Sequence, residues 1–185
     1  EKKGGSQAIK LFSFASKTVP AYKKFLLESG VEPVLVKSIK SYKDVPIMNK
    51  DTYLRRYPYP DLFPGRNLSA AHTFSATSGS TGEPFYLPRN TVGDREYQYF
   101  SEIFLVDQFA IDKKKTLVVL GFGFGMWIAG MSTFNYLNAL AEKGYPLTII
   151  PNGPNVSSFL ATIDRFGKEY DQIILFGYPP LLRDI

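Results

Sequence analysis

A loop rich in glycine and hydroxyl-bearing residues, at positions 75–84, has the clearest potential for chemistry in this sequence. It reads Ser-Ala-Thr-Ser-Gly-Ser-Thr-Gly-Glu-Pro. Glycines let the backbone turn tightly and approach a ligand, and successive N–H groups in such turns form an anion-binding concavity. The hydroxyl groups add hydrogen-bond donors without bulk. The segment therefore predicts a polyphosphate-binding loop, formed by Thr77, Ser78, Gly79, Ser80, Thr81 and Gly82.

Two other interpretations of this loop follow from its composition. Ser, Thr and Gly dominate ordinary surface turns, so a turn without a ligand stays open as an alternative. A Walker A loop is excluded, because that motif requires a lysine at the position where Glu83 stands.

A second glycine-rich segment, residues 121–127, follows a predicted strand and precedes a predicted helix. It reads Gly-Phe-Gly-Phe-Gly-Met-Trp, with the spacing G-x-G-x-G instead of the dinucleotide fingerprint G-x-G-x-x-G. The next predicted strand ends in Pro151-Asn152 and offers no acid for a ribose, which disfavours a nicotinamide cofactor. Core packing and the wall of an apolar ligand pocket both remain open for the aromatic residues.

Alternating strands and helices are predicted to position these two segments. Residues 71–76 and 84–87 predict a hairpin around the first loop. Strands are expected at 116–120, 147–150 and 172–176, and helices at 91–109, about 127–143 and 156–167. The first of these helices has an apolar side formed by Tyr97, Phe100, Ile103 and Phe104. This alternation requires right-handed crossovers, so the predicted fold class is α/β with a parallel sheet flanked by helices, over residues 70–185.

Residues 1–69 predict a helical segment that precedes the sheet. Residues 7–28 have helical spacing in two pieces, with a break at Val19-Pro20 and a stop at Gly30. Residues 31–45 are expected to be irregular, and Asn49 or Asp51 to cap a short helix that ends at residue 56. The alternating prolines of residues 57–60 predict extended backbone.

Composition excludes several classes of function. The net charge is +5, but the lysines are scattered in short runs, which is typical of a solvated surface and predicts no nucleic-acid binding. No cysteine is present and His72 is the only histidine, so no metal site is expected in this chain. No apolar stretch is long enough for a bilayer and no signal peptide opens the chain, so no membrane partner and a cytoplasmic location are expected. His72, Arg95, Asp107 and Asp112 are interpreted as structural or surface residues.

The segment from Ser78 to Pro84 resembles the phosphate-binding signature of the adenylate-forming superfamily, which includes acyl- and aryl-CoA synthetases, luciferases and peptide-synthetase adenylation domains. The family form is roughly [ST]-S-G-[ST]-T-G-x-P, often with lysine at x. Glu83 departs from it, and an acid beside a triphosphate is electrostatically unfavourable.

Flanking segments resemble the phenylacetate–CoA ligase-like branch of that superfamily. Residues 19–22, 46–51, 54–55 and 57–58 are similar to its N-terminal region, and residues 121–127 are similar to its Y-G-Y-G-L-F stretch with phenylalanine for both tyrosines. Residues 149–151 and 177–179 fall where that branch has its next strands and a loop near the acyl pocket.

This resemblance implies part of the large N-terminal domain of an enzyme that activates a carboxylate with ATP and Mg²⁺ and then forms a thioester with CoA, releasing AMP. The loop residues named above would hold the ATP phosphates, and the substrate pocket would be lined by Phe122, Gly123, Phe124 and Trp127. The catalytic residues are expected beyond Ile185, so the chain is interpreted as a truncated, inactive piece of a full-length ligase.

Two alternatives stay open beside this interpretation. One is an adenylating enzyme with an acceptor other than CoA, of the coenzyme-modifying or polysaccharide-biosynthesis type. The other is a non-catalytic module that binds a nucleotide or a partner, which Glu83 favours. The expected partners are a small carboxylate, ATP and CoA, and a homodimer is left open.

Overall fold

Two helices and several short helical turns form the N-terminal unit, Glu1–Ala70. The computed structural model describes residues 2–77 and 83–185. Helices α1 (Lys2–Thr18) and α2 (Pro20–Glu28) are separated by Val19, whose extended backbone has φ −101° and ψ 108°. Proline fits the first position of a helix because it has no N–H to leave unpaired. The predicted break at Val19-Pro20 and the stop before Gly30 are confirmed.

Three predictions in this unit need correction. Residues 31–45 are not wholly irregular, because they contain a 3-10 turn, Pro33–Leu35, and a one-turn helix α3 (Ile39–Tyr42) whose capping box joins Ser38 and Ser41. The next short helix is a π-type turn, Lys50–Leu54, that ends two residues before the predicted end, while Asn49 is confirmed as its cap. Extended backbone continues only to Pro58, since a 3-10 turn covers Tyr59–Leu62, with another at Pro64–Arg66. Proline's fixed φ suits the first turn of a helix as well as extended backbone.

Aromatic rings form the core of the N-terminal unit. Tyr53 packs edge-to-face against Tyr22, Phe25 and Tyr57, with ring centroids 6.2, 5.5 and 5.6 Å away. Burial raises the pKa of both Tyr22 and Tyr53 to about 12, so these phenols stay neutral. The Tyr57 hydroxyl reaches the edge of this core and donates to Glu28 Oε2 at 2.7 Å.

A β-hairpin opens the second unit, Ala71–Ile185. Strand β1 (Thr73–Ala76) pairs antiparallel with β2 (Tyr86–Arg89), and Thr73 lies opposite Arg89. The predicted hairpin is confirmed, with its second strand shifted two residues toward the C-terminus. Asn90 then caps helix α4 (Thr91–Phe109) by accepting a hydrogen bond from Gly93 N–H at 2.9 Å.

A parallel three-stranded sheet follows, in the order β4–β3–β5. Its strands are β3 (Thr116–Leu120), β4 (Leu147–Ile150) and β5 (Gln172–Phe176), and Val118 lies opposite Ile149 and Ile174. The connections carry helices α5 (Ile128–Glu142) and α6 (Val156–Phe166), with a 3-10 turn at Gly167–Glu169 and helix α7 (Pro179–Arg183) after β5. The predicted α/β class and its three strands are confirmed.

Strand β3 is buried along its whole length because helices cover both faces of the sheet. Val118 and Leu120 point to one face, where they pack with Leu105 of α4 and Leu137 of α5. Leu117 and Val119 point to the other face, against Phe159 of α6 and Leu181 of α7. The two-residue period of the strand divides the core into these two layers.

Helix α4 turns toward the protein a side that is polar in its N-terminal half and apolar from Leu105 onward. The partly or fully buried positions include Asp94, Gln98, Ser101, Glu102 and Leu105. The predicted apolar side is the outer one, since Tyr97, Phe100, Ile103 and Phe104 are 46, 67, 49 and 55% exposed. Neither α4 nor any other helix within residues 2–77 and 83–185 is apolar enough over a sufficient length to cross a bilayer.

The carboxylate of Glu102 links α4 to the end of α5 and gives a pH-dependent prediction. It accepts hydrogen bonds from the Lys143 ammonium and from the Tyr145 hydroxyl, the latter at 2.8 Å. The bond from Lys143 holds the pKa of Glu102 below its ordinary value of 4.5. Because the folded-state pKa is the lower one, this stability is present above the unfolded-state pKa and is lost as the pH falls through the folded-state value.

Replacing Glu102 by Gln should lower the free energy of unfolding by about 1 kcal/mol at pH 7, since a partly buried charge-assisted contact is lost. The difference from the wild type should shrink below pH 4.5, the ordinary pKa of Glu102. Urea denaturation at a series of pH values measures this, with Glu96→Gln on the exposed side of α4 as the control. A difference that stays constant from pH 7 to pH 3 would contradict the assignment.

Candidate functional site

Thr77 closes the base of the predicted phosphate loop. Its N–H donates to the Phe85 carbonyl at 3.0 Å, and its hydroxyl accepts from the Phe85 N–H at 3.0 Å. These bonds extend the β1–β2 pairing one step beyond Ala76 and Tyr86. The other five predicted loop residues, Ser78, Gly79, Ser80, Thr81 and Gly82, lie outside the described residues. Their phosphate contacts therefore stay a prediction.

The glycine–aromatic segment, residues 121–127, runs beside the end of β1. The Ala76 N–H donates to the Met126 carbonyl at 2.8 Å, and Ala76 forms a parallel bridge with Trp127. Ala76 immediately precedes Thr77, so the base of the loop and the glycine–aromatic segment are neighbours. The two motifs are about 45 residues apart in the sequence, but they are neighbours at the base of the predicted phosphate loop.

Phe122 and Tyr178 meet at the carboxyl edge of the sheet. Phe122 follows β3 and Tyr178 follows β5, and their rings pack edge-to-face with centroids 5.1 Å apart. Ligands in open α/β sheets bind at this edge. Tyr178 is absent from the predicted site residues, although its signal was present as a Gly-Tyr-Pro sequence directly after the third strand.

The other predicted pocket residues have different surroundings. Phe124 is half-buried and packs on the hydrophobic core beneath α4 and α5. Trp127 is half-buried at the N-cap of α5. Gly123 lies against the start of α5, where its carbonyl closely approaches Gly130. The shared pocket of Phe122, Gly123, Phe124 and Trp127 stays a prediction, because Phe122 and Phe124 pack against different parts of the protein.

The loop after β4 is held by Asn152, whose side chain is engaged within the protein. Its Oδ1 accepts from Ser158 at 2.7 Å and Thr162 at 3.2 Å, and its Nδ2 donates to the Gly153 carbonyl at 3.1 Å. Gly153 N–H in turn donates to the Leu120 carbonyl at the end of β3, at 2.9 Å. This network positions the loop next to the carboxyl edge.

Asp94 binds the two strands that flank the predicted phosphate loop. Its Oδ2 lies 2.9 Å from His72 Nε2, just before β1, and its Oδ1 pairs with the Arg89 guanidinium at the end of β2. One carboxylate in the first turn of α4 thus fixes both arms of the hairpin. The structural role of His72 stays a prediction, and Asp94 and Arg89 were not identified from the sequence.

A cavity of about 310 Å³ opens beside this ion cluster, between β1, α4 and α5. Polar side chains contribute to its lining, among them His72, Ser75, Asp94, Arg95, Gln98 and Asn135. Elsewhere in residues 2–77 and 83–185, as in this cavity, no group of His, Asp and Glu side chains has the arrangement of a metal site.

No family model matches the sequence, and no curated protein matches it. Among solved structures, similarity is found to a 2-hydroxyisobutyryl-CoA ligase described in complex with 2-HIB-AMP and CoA in the thioesterification state. The TM-score is 0.62 at 19% identity, and the match covers 91% of this chain and 36% of that chain. The chain therefore spans about a third of the length of that ligase. At this identity the likeness establishes the fold alone, which is α/β and matches part of that ligase's chain.

Proposed function

We propose that this chain belongs to an AMP-forming ligase, in which a small carboxylate displaces pyrophosphate from the α-phosphorus of ATP to give an acyl-adenylate, and the thiol of CoA then takes the acyl group and displaces AMP. One observation carries the proposal: the base of the phosphate-loop motif lies directly beside the glycine–aromatic segment, through the Ala76–Met126 hydrogen bond of 2.8 Å. Such a reaction needs the triphosphate and the acid next to each other. The fold shared with a ligase that holds an AMP conjugate and CoA supports it.

The roles of the loop residues follow from this arrangement. Backbone N–H groups and hydroxyls of residues 78–82 would bind the β- and γ-phosphates of ATP, because such donors suit concentrated negative charge. Thr77 is assigned to positioning, since both its N–H and its hydroxyl oxygen bind Phe85. Magnesium usually keeps several waters and binds substrate phosphates, so it would sit on ATP and not on a cage of side chains.

The acid pocket is assigned to the carboxyl edge of the sheet. Phe122 would form one wall, and Tyr178, which packs against it at 5.1 Å, is added to the residues predicted from the sequence. An aromatic wall favours an aryl or acyl carboxylate. The phenylacetate–CoA ligase-like branch and a cytoplasmic location are part of the same proposal.

We also propose that the chain has two parts. Residues 1–69 form an N-terminal helical segment, and residues 70–185 form part of a nucleotide-binding subdomain. The catalytic residues lie outside this chain, which is expected to show no turnover by itself. A non-catalytic nucleotide-binding module is the second candidate, because the exposed Glu83 adjoins the loop where the family often has lysine.

Pyrophosphate exchange by the intact protein tests the proposed reaction. The assay contains ATP, magnesium, labelled pyrophosphate and one acid from a panel of aryl and aliphatic carboxylates. We expect exchange that depends on the acid, followed by AMP release and thioester formation when CoA is added. Adenylation without thioester formation would point to another acceptor. Folded protein that binds ATP in calorimetry but exchanges with no acid would favour the non-catalytic module.

A further inference from the structure

The cavity between β1, α4 and α5 contains polar side chains that the proposed ligase reaction does not use. Ser75 lines it and is only 5% exposed, yet its hydroxyl has no hydrogen-bond partner among the described residues. No described side-chain polar atom that is sealed from solvent lacks a partner. Ser75 lines the cavity, so its hydroxyl is available there to water or a ligand.

Two further side chains of the lining share this property. Gln98 of α4 and Ser132 of α5 are half-buried, and neither side chain makes a hydrogen bond to another described residue. Burying polar groups is unfavourable unless their hydrogen bonds are made. An amide and two hydroxyls without protein partners, facing one cavity from three different elements, provide both donors and acceptors for a bound molecule.

One positively charged side chain in the cavity lining has no acidic partner among the described residues. Asp94 is shared by His72 and the Arg89 guanidinium. Arg95, the next residue of α4, also lines the cavity, and it has no acidic partner within the described part of the chain. A guanidinium binds a carboxylate through two parallel hydrogen bonds, so a carboxylate is the ligand group that suits Arg95 best.

We propose that this cavity binds a small organic carboxylate that carries a second polar group. Arg95 holds the carboxylate, the second group bonds to Ser75, Gln98 or Ser132, and the carbon skeleton lies against Phe74 and Met131. The volume of about 310 Å³ is at the small end of ligand pockets. A phosphate dianion fits less well because Asp94 faces the same space.

Binding of lactate, measured without ATP or CoA, tests this site independently of the proposed ligase reaction. Calorimetry on the purified protein should detect lactate binding that is tighter than that of acetate and inorganic phosphate. Since His72 is the only histidine of the chain and lines the cavity, its imidazole NMR signals should shift with the same saturation curve.

Arg95→Gln should weaken lactate binding at least about tenfold, because a charge-assisted pair is lost, and Ser75→Ala should weaken it severalfold. Arg165→Gln on the exposed face of α6 is the matched control, with the same change in charge. Equal affinity in wild type and Arg95→Gln would overturn the site, as would an absence of lactate binding or a preference for phosphate. Arg95 is exposed, so its replacement should leave the fold intact, which circular dichroism verifies.

Discussion

In the intact protein, replacing Gly130 by alanine is expected to lower acid-dependent pyrophosphate exchange about 100-fold, because it moves the glycine–aromatic segment. Gly130 is the third residue of α5 and is buried. A Cβ atom at this position would lie 2.3 Å from the Gly123 carbonyl oxygen and 3.0 Å from its carbonyl carbon. Both atoms are backbone, so no side-chain rotation can relieve the overlap.

The displaced backbone belongs to the segment that the proposed reaction depends on. Gly123 lies between Phe122 and Phe124, and the same segment binds Ala76 through the Met126 carbonyl. A shift of about 1 Å in a substrate-positioning element costs about 100-fold in rate. The overlap should also lower the free energy of unfolding by about 1–3 kcal/mol, the usual range for overpacking.

Gly93→Ala provides a matched control for this substitution. Gly93 is likewise the third residue of a long helix, α4, but a Cβ there meets only Asn90 Oδ1, at 3.6 Å. That distance is an ordinary contact, so alanine should be neutral or stabilise by up to about 1 kcal/mol through helix propensity. Exchange rates and chemical denaturation of both variants are to be compared. Similar behaviour of the two variants would show that the close approach at Gly130 is unimportant.

Hydrophobic periodicity and local stop signals predicted strand β3 and helices α2, α5 and α6. The run Leu117–Leu120 is apolar throughout because both faces of β3 are covered, and such a run can be recognised without knowing which elements pack against it. Helices α5 and α6 were predicted to within one residue at each end, because apolar spacing marks their length and Gly144 follows the end of the first. Pro20 similarly marked the start of α2.

Periodicity could not decide which side of α4 faces the core. The apolar stripe with Phe100 and Ile103 is outside, and the inner stripe includes Asp94 and Gln98. Inner polar residues are stable there because they bond across the fold or border a cavity, as the Asp94 pairs do. A hydrophobic pattern detects a helix with two unlike sides, but the inner side of α4 combines apolar packing by Leu105 with the ion pairs of Asp94, and only the folded structure shows this combination.

The candidate site likewise has features that could be predicted from the sequence and features that could not. The two glycine-rich segments could be identified from local sequence, because glycine and hydroxyl residues have direct backbone consequences. Their adjacency could not be predicted, since the hydrogen bond from Ala76 to Met126 joins residues 50 positions apart. The sequence around Asp94 and Arg95 gives no indication that these residues belong to a site. Only the folded hairpin brings His72 and Arg89 to α4 and leaves Arg95 uncompensated beside the cavity.

Removing two hydroxyls from the predicted phosphate loop, in Ser80→Ala/Thr81→Val, should lower pyrophosphate exchange by about 100- to 1,000-fold. Loss of one preorganised donor to a developing negative charge costs about that much in other enzymes. The base of the loop would be unchanged, because Thr77 and Phe85 keep both of their hydrogen bonds. A loop whose base is intact but which lacks these two donors should bind ATP more weakly and adenylate slowly. The free energy of unfolding should stay within about 0.5 kcal/mol of the wild-type value.

The matched control removes the same two hydroxyls elsewhere. Ser157 on α6 and Thr148 on β4 are exposed, and neither side chain has a hydrogen-bond partner within the described residues. Ser157→Ala/Thr148→Val should therefore exchange pyrophosphate at the wild-type rate. If the loop variant also keeps the wild-type rate and ATP affinity, the loop is an ordinary surface turn, and nucleotide binding must be assigned to other residues. If ATP affinity falls but exchange was already absent in the wild type, the loop binds nucleotide in a protein that does not catalyse adenylation.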